Sequence, residues 1–490
     1  MPSLWSTTGR GLALSALALA LTACQSMRNP EPQVQATTLP TAYVAPVVMG
    51  PSVAEQGYKE FFSDPRLAQV LDLALTNNRD LRIAALNIQR AQQAYQITEN
   101  NQLPSIGVSG DVTRQASVSA YGQTKPTTIY RVGLGVTAYE LDFWGRVRSL
   151  KDNALDTYLA TASARDATQI ALIGQVAQAW LSYSFASANL SLAEQTLKAQ
   201  LESYNLNKKR FDVGIDSEVP VRQAQISVET ARSDVAEYKT QITQAQNLLN
   251  LLVGEQVPST LLPKQRVQRV TANAKINSGL PSELLNNRPD IRAAEYKLSA
   301  AGANIAAAKA RMFPTISLTG SAGYGSRELT DLFKSGSFVW SLGPSLDIPL
   351  WDWGTRKANI KISETDQQIA VSDYEKSIQT AFREVNDALA VRQNIGDRLA
   401  AQRRLVEATN KNYELSQARF RAGIDGFLTV LDAQRGNYAA QQGLLLLEQA
   451  NLNNQVELYK ALGGGLKTYS SDPVVNPASS AEQAEMRNNK

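Results

Sequence analysis

The chain contains no histidine and only one cysteine among its 490 residues. The missing histidines remove the commonest general base and the commonest metal ligand of proteins. The sequence also has no phosphate-binding loop of the G-x-x-x-x-G-K type and no metal-ligand spacing, so we expect neither an enzyme nor a cofactor. The 49 basic and 45 acidic residues nearly balance, which argues against a nucleic acid partner.

The N-terminal segment is predicted to be an export signal. One positive charge precedes an apolar run, GLALSALALALTA at 11–23, which is too short to span a bilayer as a helix. The sequence LTAC at 21–24 resembles a bacterial lipoprotein cleavage box and places the only cysteine, Cys24, at the cut site. We therefore predict a signal peptide at 1–23 and acylation of Cys24. The alternatives are an ordinary signal peptide with a chance cysteine, or a buried thiol. A single acyl chain binds a membrane only marginally, so a second membrane element is expected.

Beyond the signal, the chain repeats itself at a spacing of 209 or 210 residues. The clearest example is RFDVGID at 210–216, which returns as RFRAGID at 419–425. Other matching pairs are NNRD at 77–80 with NNRPD at 286–290, LPSI at 103–106 with FPTI at 313–316, and WG at 144–145 with WG at 353–354. The chain is therefore a tandem duplication of one structural unit.

Each repeat contains a pair of strand-like segments between helical ones. Apolar and polar residues alternate in the segments 103–115, 128–142, 313–327 and 337–350. This pattern predicts one apolar and one polar face, and the segments are as long as tilted strands that cross a bilayer. Two hairpins of a soluble sandwich would show the same alternation, but the rest of each repeat supplies no second sheet to cover them.

The remaining segments predict long helices that reverse at two turns with the sequence Gly-Ile-Asp, at 214–216 and 423–425, here called the GID turns. The stretch 145–211 contains no proline and, at ~1.5 Å per residue, would form a helix roughly 100 Å long. The helix that returns at 217–253 is about half as long. We expect it to be completed by a helix at 282–311, and the first helix (66–101) to be completed by the last (427–462).

These patterns divide the chain into five segments. They are the signal peptide (1–23), an acylated tether (24–62), a first repeat (63–273) with its helical tip near 212–220, a second repeat (274–465) with its tip near 421–429, and a flexible C-terminal tail (466–490). Four strands cannot close a barrel, and open edges in lipid would leave backbone groups unpaired. Two copies would supply eight strands and three copies twelve, and the long helices favour the wider tube.

Several motifs together resemble the outer membrane factors of Gram-negative tripartite efflux systems, closely the OprM type and more distantly TolC. They are the lipoprotein box, YELDFWGR at 139–146, the two GID turns, VLDAQR at 430–435 and YKALGGG at 459–465. The resemblance covers the chain from Cys24 to about residue 465. It implies an α+β membrane protein, a homotrimer in which a 12-stranded outer-membrane β-barrel continues into a 12-helix periplasmic α-barrel.

The same resemblance implies a function as the exit channel of a multidrug efflux pump. The trimer would be a passive, gated conduit, surrounded by outer membrane lipid and extending into the periplasm. It would dock to a periplasmic adaptor protein and to an inner-membrane transporter of the resistance-nodulation-division (RND) class. A type I protein-secretion channel and a non-conducting periplasmic coiled-coil scaffold are the alternatives.

The glycines of the two GID turns supply the positive φ of a helix-ending turn, and the aspartates are expected to cap the helices that follow. In the implied architecture both turns lie at the periplasmic tip, where six tips of a trimer would form a ring for the adaptor. The predicted docking residues are Gly214, Ile215, Asp216, Gly423, Ile424 and Asp425.

The resemblance also implies a gate at this tip. The constriction of the family corresponds to Leu428 and Asp432 in the segment FLTVLDAQ, with Phe420 and Asp425 beside it. Three copies of Asp432 would form an acidic ring that attracts cations, and three copies of Leu428 would form an apolar seal. From spacing alone, Asp432 is also compatible with a solvated charge on a helix face.

Overall fold

The computed structural model describes residues 53–118, 124–263, 265–271, 283–464 and 466. Its residues divide into two compact units. One contains 87–161 and 293–375, and the other contains the described parts of 38–86, 162–292 and 376–490. The predictions for the signal peptide, for Cys24, for the first part of the tether and for the tail beyond 466 fall outside the described residues.

The helices of the described chain are α1 Tyr58–Phe61, α2 Pro65–Asn77, α3 Arg79–Asn100, α4 Arg146–Asp212, α5 Glu218–Val253, α6 Glu283–Asn287, α7 Pro289–Ala310, α8 Thr355–Arg421 and α9 Phe427–Ala461. The equivalent helices α4 and α8 are each 67 residues long, and neither contains a proline that would break it. Within the described ranges, no helix combines the length and the apolar character that crossing a membrane requires.

Four strands form one antiparallel sheet in the order β1-β2-β3-β4. Their bounds are β1 Ile106–Val118, β2 Thr124–Glu140, β3 Thr315–Ser326 and β4 Phe338–Asp347. β1 starts later than the segment proposed at 103–115, because Pro104 has no N–H to donate to a ladder. For the same reason β4 ends before Pro349, inside the segment proposed at 337–350.

One face of the sheet is apolar across all four strands. The strand register aligns Val108, Leu134, Ala322 and Trp340 in a single row, and the side chains of Val108, Leu134 and Trp340 are exposed. On the opposite face, a Cβ added to Gly323 would lie 2.2 Å from the carbonyl oxygen of β2 that it faces. Glycine on this second face therefore permits a close approach of β2 and β3 that a side chain would prevent.

In the first repeat, the end of α5 lies against a break between α2 and α3. The Asn78 side chain at this break accepts from Leu81 N (2.8 Å) and donates to Leu252 O at the end of α5 (2.7 Å). Gly254 has a φ of +83°, and a Cβ on it would lie 2.4 Å from Asn77 O. The first helix was expected to be continuous over 66–101. It is instead divided into α2 and α3 at the point that the end of α5 contacts.

The second repeat builds the equivalent junction from different side chains. Arg288, between α6 and α7, donates to Ala461 O at the end of α9 (2.9 Å) and pairs with Glu384 and Asp290. A Cβ on Gly463 would lie 2.7 Å from the backbone oxygen of the residue before this arginine. Each short helix therefore ends against its own repeat, so the expectation that α5 is completed by the helix at 282–311, and the first helix by the last, is wrong. The reason is that the C-terminal carbonyls of α5 and α9 accept hydrogen bonds from side chains of their own repeat.

The tether proposed at 24–62 ends earlier than expected. Residues 58–61 form α1, and the side chains of Phe61 and Phe62 are buried. Their ring centroids lie 4.6 Å and 5.5 Å from that of Tyr459 in α9. Burying these aromatic rings is strongly favourable, so residues 58–62 belong to the packed unit that contains α9.

Candidate functional site at the helix turns

The two GID turns have nearly the same backbone geometry. In the first turn, Ile215 N donates to Arg210 O and Gly214 N donates to Phe211 O, both at 2.9 Å, and the corresponding bonds of the second turn are both 3.0 Å. Gly214 has a φ of +74° and Gly423 a φ of +75°. This pair of bonds is the Schellman motif, which closes the last turn of a helix and favours glycine in the left-handed conformation.

The aspartates of the turns pair with arginines and cap no helix. Asp425 accepts from Arg419 Nε at 2.6 Å and from Arg419 Nη2 at 3.0 Å, whereas Asp216 accepts from Arg210 Nε at 3.3 Å. The expectation that the aspartates cap the following helices is wrong, because each lies one residue before the N-cap position. The N-caps of the two following helices are Ser217 and Gly426.

The arginine pairs were missed in the sequence, although both arginines belong to the repeated motif R-F-x-x-G-I-D. Their spacing of six residues from the aspartate is not a helical spacing, so it gives no signal until the turn brings the two ends together. In the second turn, the hydrogen bonds from Arg419 lower the pKa of the Asp425 carboxyl. The pKa of Arg419 is raised by the same contact.

Phe420 lies in a small apolar cluster, the tip core, which consists of Ala224, Phe420, Phe427, Val430 and Leu431. Its ring is 7% exposed and lies 5.7 Å from that of Phe427. Arg210 Cζ, which belongs to the first turn, lies 5.2 Å from the centre of the Phe420 ring. This cation–π contact connects the two turns.

Leu428 and Asp432 share an exposed face of α9, one helical turn apart. Both line a shallow cleft between α8 and α9, which is also lined by Thr409, Asn412 and Ser416 of α8. The structure thus brings two of the four predicted gate residues together and places the other two elsewhere, Phe420 in the tip core and Asp425 against Arg419. In the parts of the chain that the structure describes, no cluster of three or more Cys, Asp or Glu residues could hold a metal ion.

Apolar side chains are exposed around both turns. Ile215 of the first turn and Ile424 of the second are both exposed. Val213 and Val219, on either side of the first turn, are exposed as well. The two valines were not among the predicted docking residues, although their apolar character next to a polar turn was visible in the sequence. Clustered apolar side chains on a polar surface are typical of protein interaction sites.

Comparison with known proteins gives the chain its family. The family model described as outer membrane efflux protein matches residues 70–255 and 280–464, one match in each repeat. The solvent efflux pump outer membrane protein SrpC of Pseudomonas putida is 46% identical, over 83% of this chain and 87% of its own. The outer membrane protein OprJ of Pseudomonas aeruginosa is 38% identical, over 93% of this chain and 96% of its own.

Solved structures are similar over the same extent. The open state of the MtrE outer membrane channel of Neisseria gonorrhoeae has a TM-score of 0.80 at 37% identity, covering 89% of this chain and 97% of its own. A membrane protein from Pseudomonas aeruginosa has a TM-score of 0.82 at 37% identity, with coverages of 89% and 100%. These similarities confirm the expectation of an efflux channel of the outer membrane. The chain belongs to the outer membrane efflux protein family.

Proposed function

We propose that three copies of this chain form the outer-membrane exit channel of a tripartite multidrug efflux pump. The observation that carries the proposal is the four-stranded sheet with an exposed apolar face and with β1 and β4 at its edges. An apolar face suits lipid, but edge groups left unpaired in a bilayer each cost several kcal/mol. Pairing with other copies removes the edges, and three copies supply an even number of strands, twelve, with the glycine-bearing face toward the pore.

In this assembly the helices of three copies form a periplasmic tunnel of twelve helical rods. α4 and α8 would be continuous rods, and each of the other two would combine a shorter helix with the divided helix of its own repeat. Acylation of Cys24 would add a lipid anchor to the barrel. Two membrane elements together hold a protein far more firmly than one acyl chain.

The tips of the helical hairpins would dock to the periplasmic adaptor, which links the channel to an RND transporter in the inner membrane. The support is the exposed apolar surface formed by Val213, Ile215, Val219 and Ile424 around the two turns. The predicted docking residues Gly214, Asp216, Gly423 and Asp425 would then shape this surface, because the glycines set the turns and the aspartates tie each turn to its helix.

Leu428 and Asp432 would form the periplasmic gate. Their exposed position on one face of α9 allows three copies to meet around an axis as an apolar ring and an acidic ring. Phe420 and Asp425 would act indirectly, by holding the second turn in place. The equivalent positions in the first hairpin are Val219 and Gln223, so the acidic ring is assigned to the second hairpin alone.

Conductance in planar bilayers tests the channel and its gate together. The double variant Leu428→Ala/Asp432→Ala is expected to raise the leak through the closed channel several-fold, because both rings lose their side chains. The matched control is Val219→Ala/Gln223→Ala in the first hairpin, which should leave the leak unchanged. An unaltered leak in the gate variant contradicts the gate assignment.

Two further results separate the alternatives. A non-conducting scaffold would give no ion current from any variant, even when the purified protein is inserted in the bilayer. A type I secretion channel would conduct, but affinity capture from the cell envelope would then recover a protein-exporting ATPase complex in place of an RND transporter. The proposal expects the adaptor and the RND transporter to be captured with the wild-type chain, and less of both with Ile215→Asp/Ile424→Asp.

A further inference from the structure

The two tryptophans of the repeated WG motif occupy different surroundings. Trp144, after β2, donates from Nε1 to Pro314 O at 2.7 Å, and its ring stacks on that of Phe313 at 4.8 Å. This contact joins the end of β2 to the start of β3, and these two strands belong to different repeats. Trp144 therefore marks the junction at which one repeat pairs with the next.

The equivalent contact is not made within the chain by Trp353, the counterpart of Trp144. Trp353 is 90% exposed, and Leu103, the counterpart of Phe313, is 66% exposed. Trp353 also has a φ of +54°, a left-handed conformation that is unfavourable for a bulky residue. Such a conformation persists when neighbouring structure holds it, which points to a contact that covers Trp353.

The two halves of the missing contact lie at the two edges of the sheet. Trp353 follows β4, and Leu103 and Pro104 precede β1. We propose that Trp353 of one copy stacks on Leu103 of a second copy and donates its indole N–H to the carbonyl oxygen of Pro104 there. The proposal rests on the proposed trimer and adds to it the residues that join one copy to the next.

The repeat also predicts the register of the shared strands. Within the chain, Tyr139 lies opposite Leu318, and Leu141 N donates to Ile316 O at 2.8 Å. Transferred to the edges, these pairs become Ile348 opposite Val108 and Leu350 N donating to Ile106 O, across two copies. All four of these edge residues are exposed apolar side chains in one chain. They lie on the apolar face of the sheet, so this register would continue that face from one copy to the next.

Pro349 fits this register. Its counterpart Glu140 lies opposite Ser317 and directly before Leu141, whose N–H points toward β3. Successive N–H groups of a strand point to opposite sides, so the N–H of Glu140 points away from β3. A proline at this position therefore removes no hydrogen bond between β4 and β1 of the second copy.

Cross-linking of two differently tagged chains tests the proposal. One chain carries Leu103→Cys and the other Trp353→Cys, both are expressed together, and a short bifunctional thiol reagent is added to isolated outer membranes. A covalent product that contains both tags is expected. Either variant expressed alone should give at least tenfold less cross-linked dimer of any tag composition, which also controls for the native Cys24. Phe313→Cys with Trp144→Cys in one chain is the matched control and should give a link without a gain in mass.

An amine-reactive reagent applied to the same membranes counts the copies independently. Trimers without a link between 103 and 353 would overturn the proposed contact and leave the trimer standing. Monomers alone would overturn both. As a second measurement, Trp353→Ala should lower the temperature at which the trimer dissociates in detergent, and Trp353→Phe, which keeps an aromatic ring but loses the indole N–H, should lower it less. A dissociation temperature unchanged in Trp353→Ala would also overturn the contact.

Discussion

The two GID turns share a motif and a backbone conformation, yet they differ in what surrounds them. Phe211 of the first turn is 42% exposed, whereas its counterpart Phe420 is 7% exposed. The cause of the difference lies eight residues after the arginine of each turn, where α5 begins with Glu218 and α9 begins with Phe427. Glu218 pairs with a nearby arginine at the surface, and Phe427 covers Phe420. Duplication therefore preserved the turn, and one changed neighbour converted it into part of an apolar core.

The largest expected effect comes from removing the buried ring. Phe420→Ala should lower the free energy of local unfolding of the second turn by about 3–5 kcal/mol, because it leaves a cavity in the tip core. Phe211→Ala, the matched variant in the first turn, should cost less than about 1 kcal/mol. Amide hydrogen exchange of the turn residues in the purified channel measures both. Equal losses would show that the two turns are equally buried and would remove the distinction drawn between them.

The glycines at the ends of the short helices should show the opposite behaviour, a similar and large cost in both repeats. Gly254→Ala and Gly463→Ala place a Cβ 2.4 Å and 2.7 Å from a backbone oxygen, and both have a positive φ. Strain and crowding together should cost about 2–4 kcal/mol in each. Thermal denaturation of the purified protein tests this, with Gly396→Ala, a glycine in open space, as the control. A neutral result at one of the two would mean that the repeats do not share this junction.

The turn glycines should respond equally and more mildly. Gly214 and Gly423 adopt almost the same φ, and open space surrounds the position of a Cβ on each. Alanine at either should cost about 1 kcal/mol from the left-handed conformation alone, and asparagine should cost less. Hydrogen exchange of the two turns measures the effect. A cost at Gly423 well above that at Gly214 would show that the tip core constrains the second turn beyond its backbone conformation.

The smallest effect concerns acid. Because Arg419 lowers the pKa of the Asp425 carboxyl below its ordinary value, the ionised carboxylate stabilises the folded turn. This contribution is present above about pH 4, the pKa of an unfolded aspartate, and is lost as the pH falls through the lower folded pKa. The pair is exposed and screened by salt, so the loss should be slight. Hydrogen exchange of the second turn, corrected for intrinsic rates, should show it in the wild type and not in Asp425→Asn. Identical acid profiles would contradict this role of the ion pair.

The features visible in the sequence were those carried by short stretches of chain. The alternation of the strands was visible because it depends on residues a few positions apart, and the duplication was visible because short motifs recur in the same order. The pairing of Asn78 with Leu252 O, which joins residues 174 positions apart, was not visible, and the stacking proposed for the short helices was therefore wrong. The pairing of Asp425 with Arg419 was hidden for a related reason, since only the closed turn brings the two side chains together.

The sequence by itself determined the elements: two long proline-free helices, four alternating strands, and two turns that need glycine. These follow from backbone preferences and periodicity, which act over a few residues. Only the tertiary structure decided which helix end meets which break, which of two equal phenylalanines is buried, and which of two equal tryptophans contacts the start of the next strand. Those outcomes depend on packing between distant segments, because the free energy of burial is set by what covers a side chain and not by its neighbours in the chain.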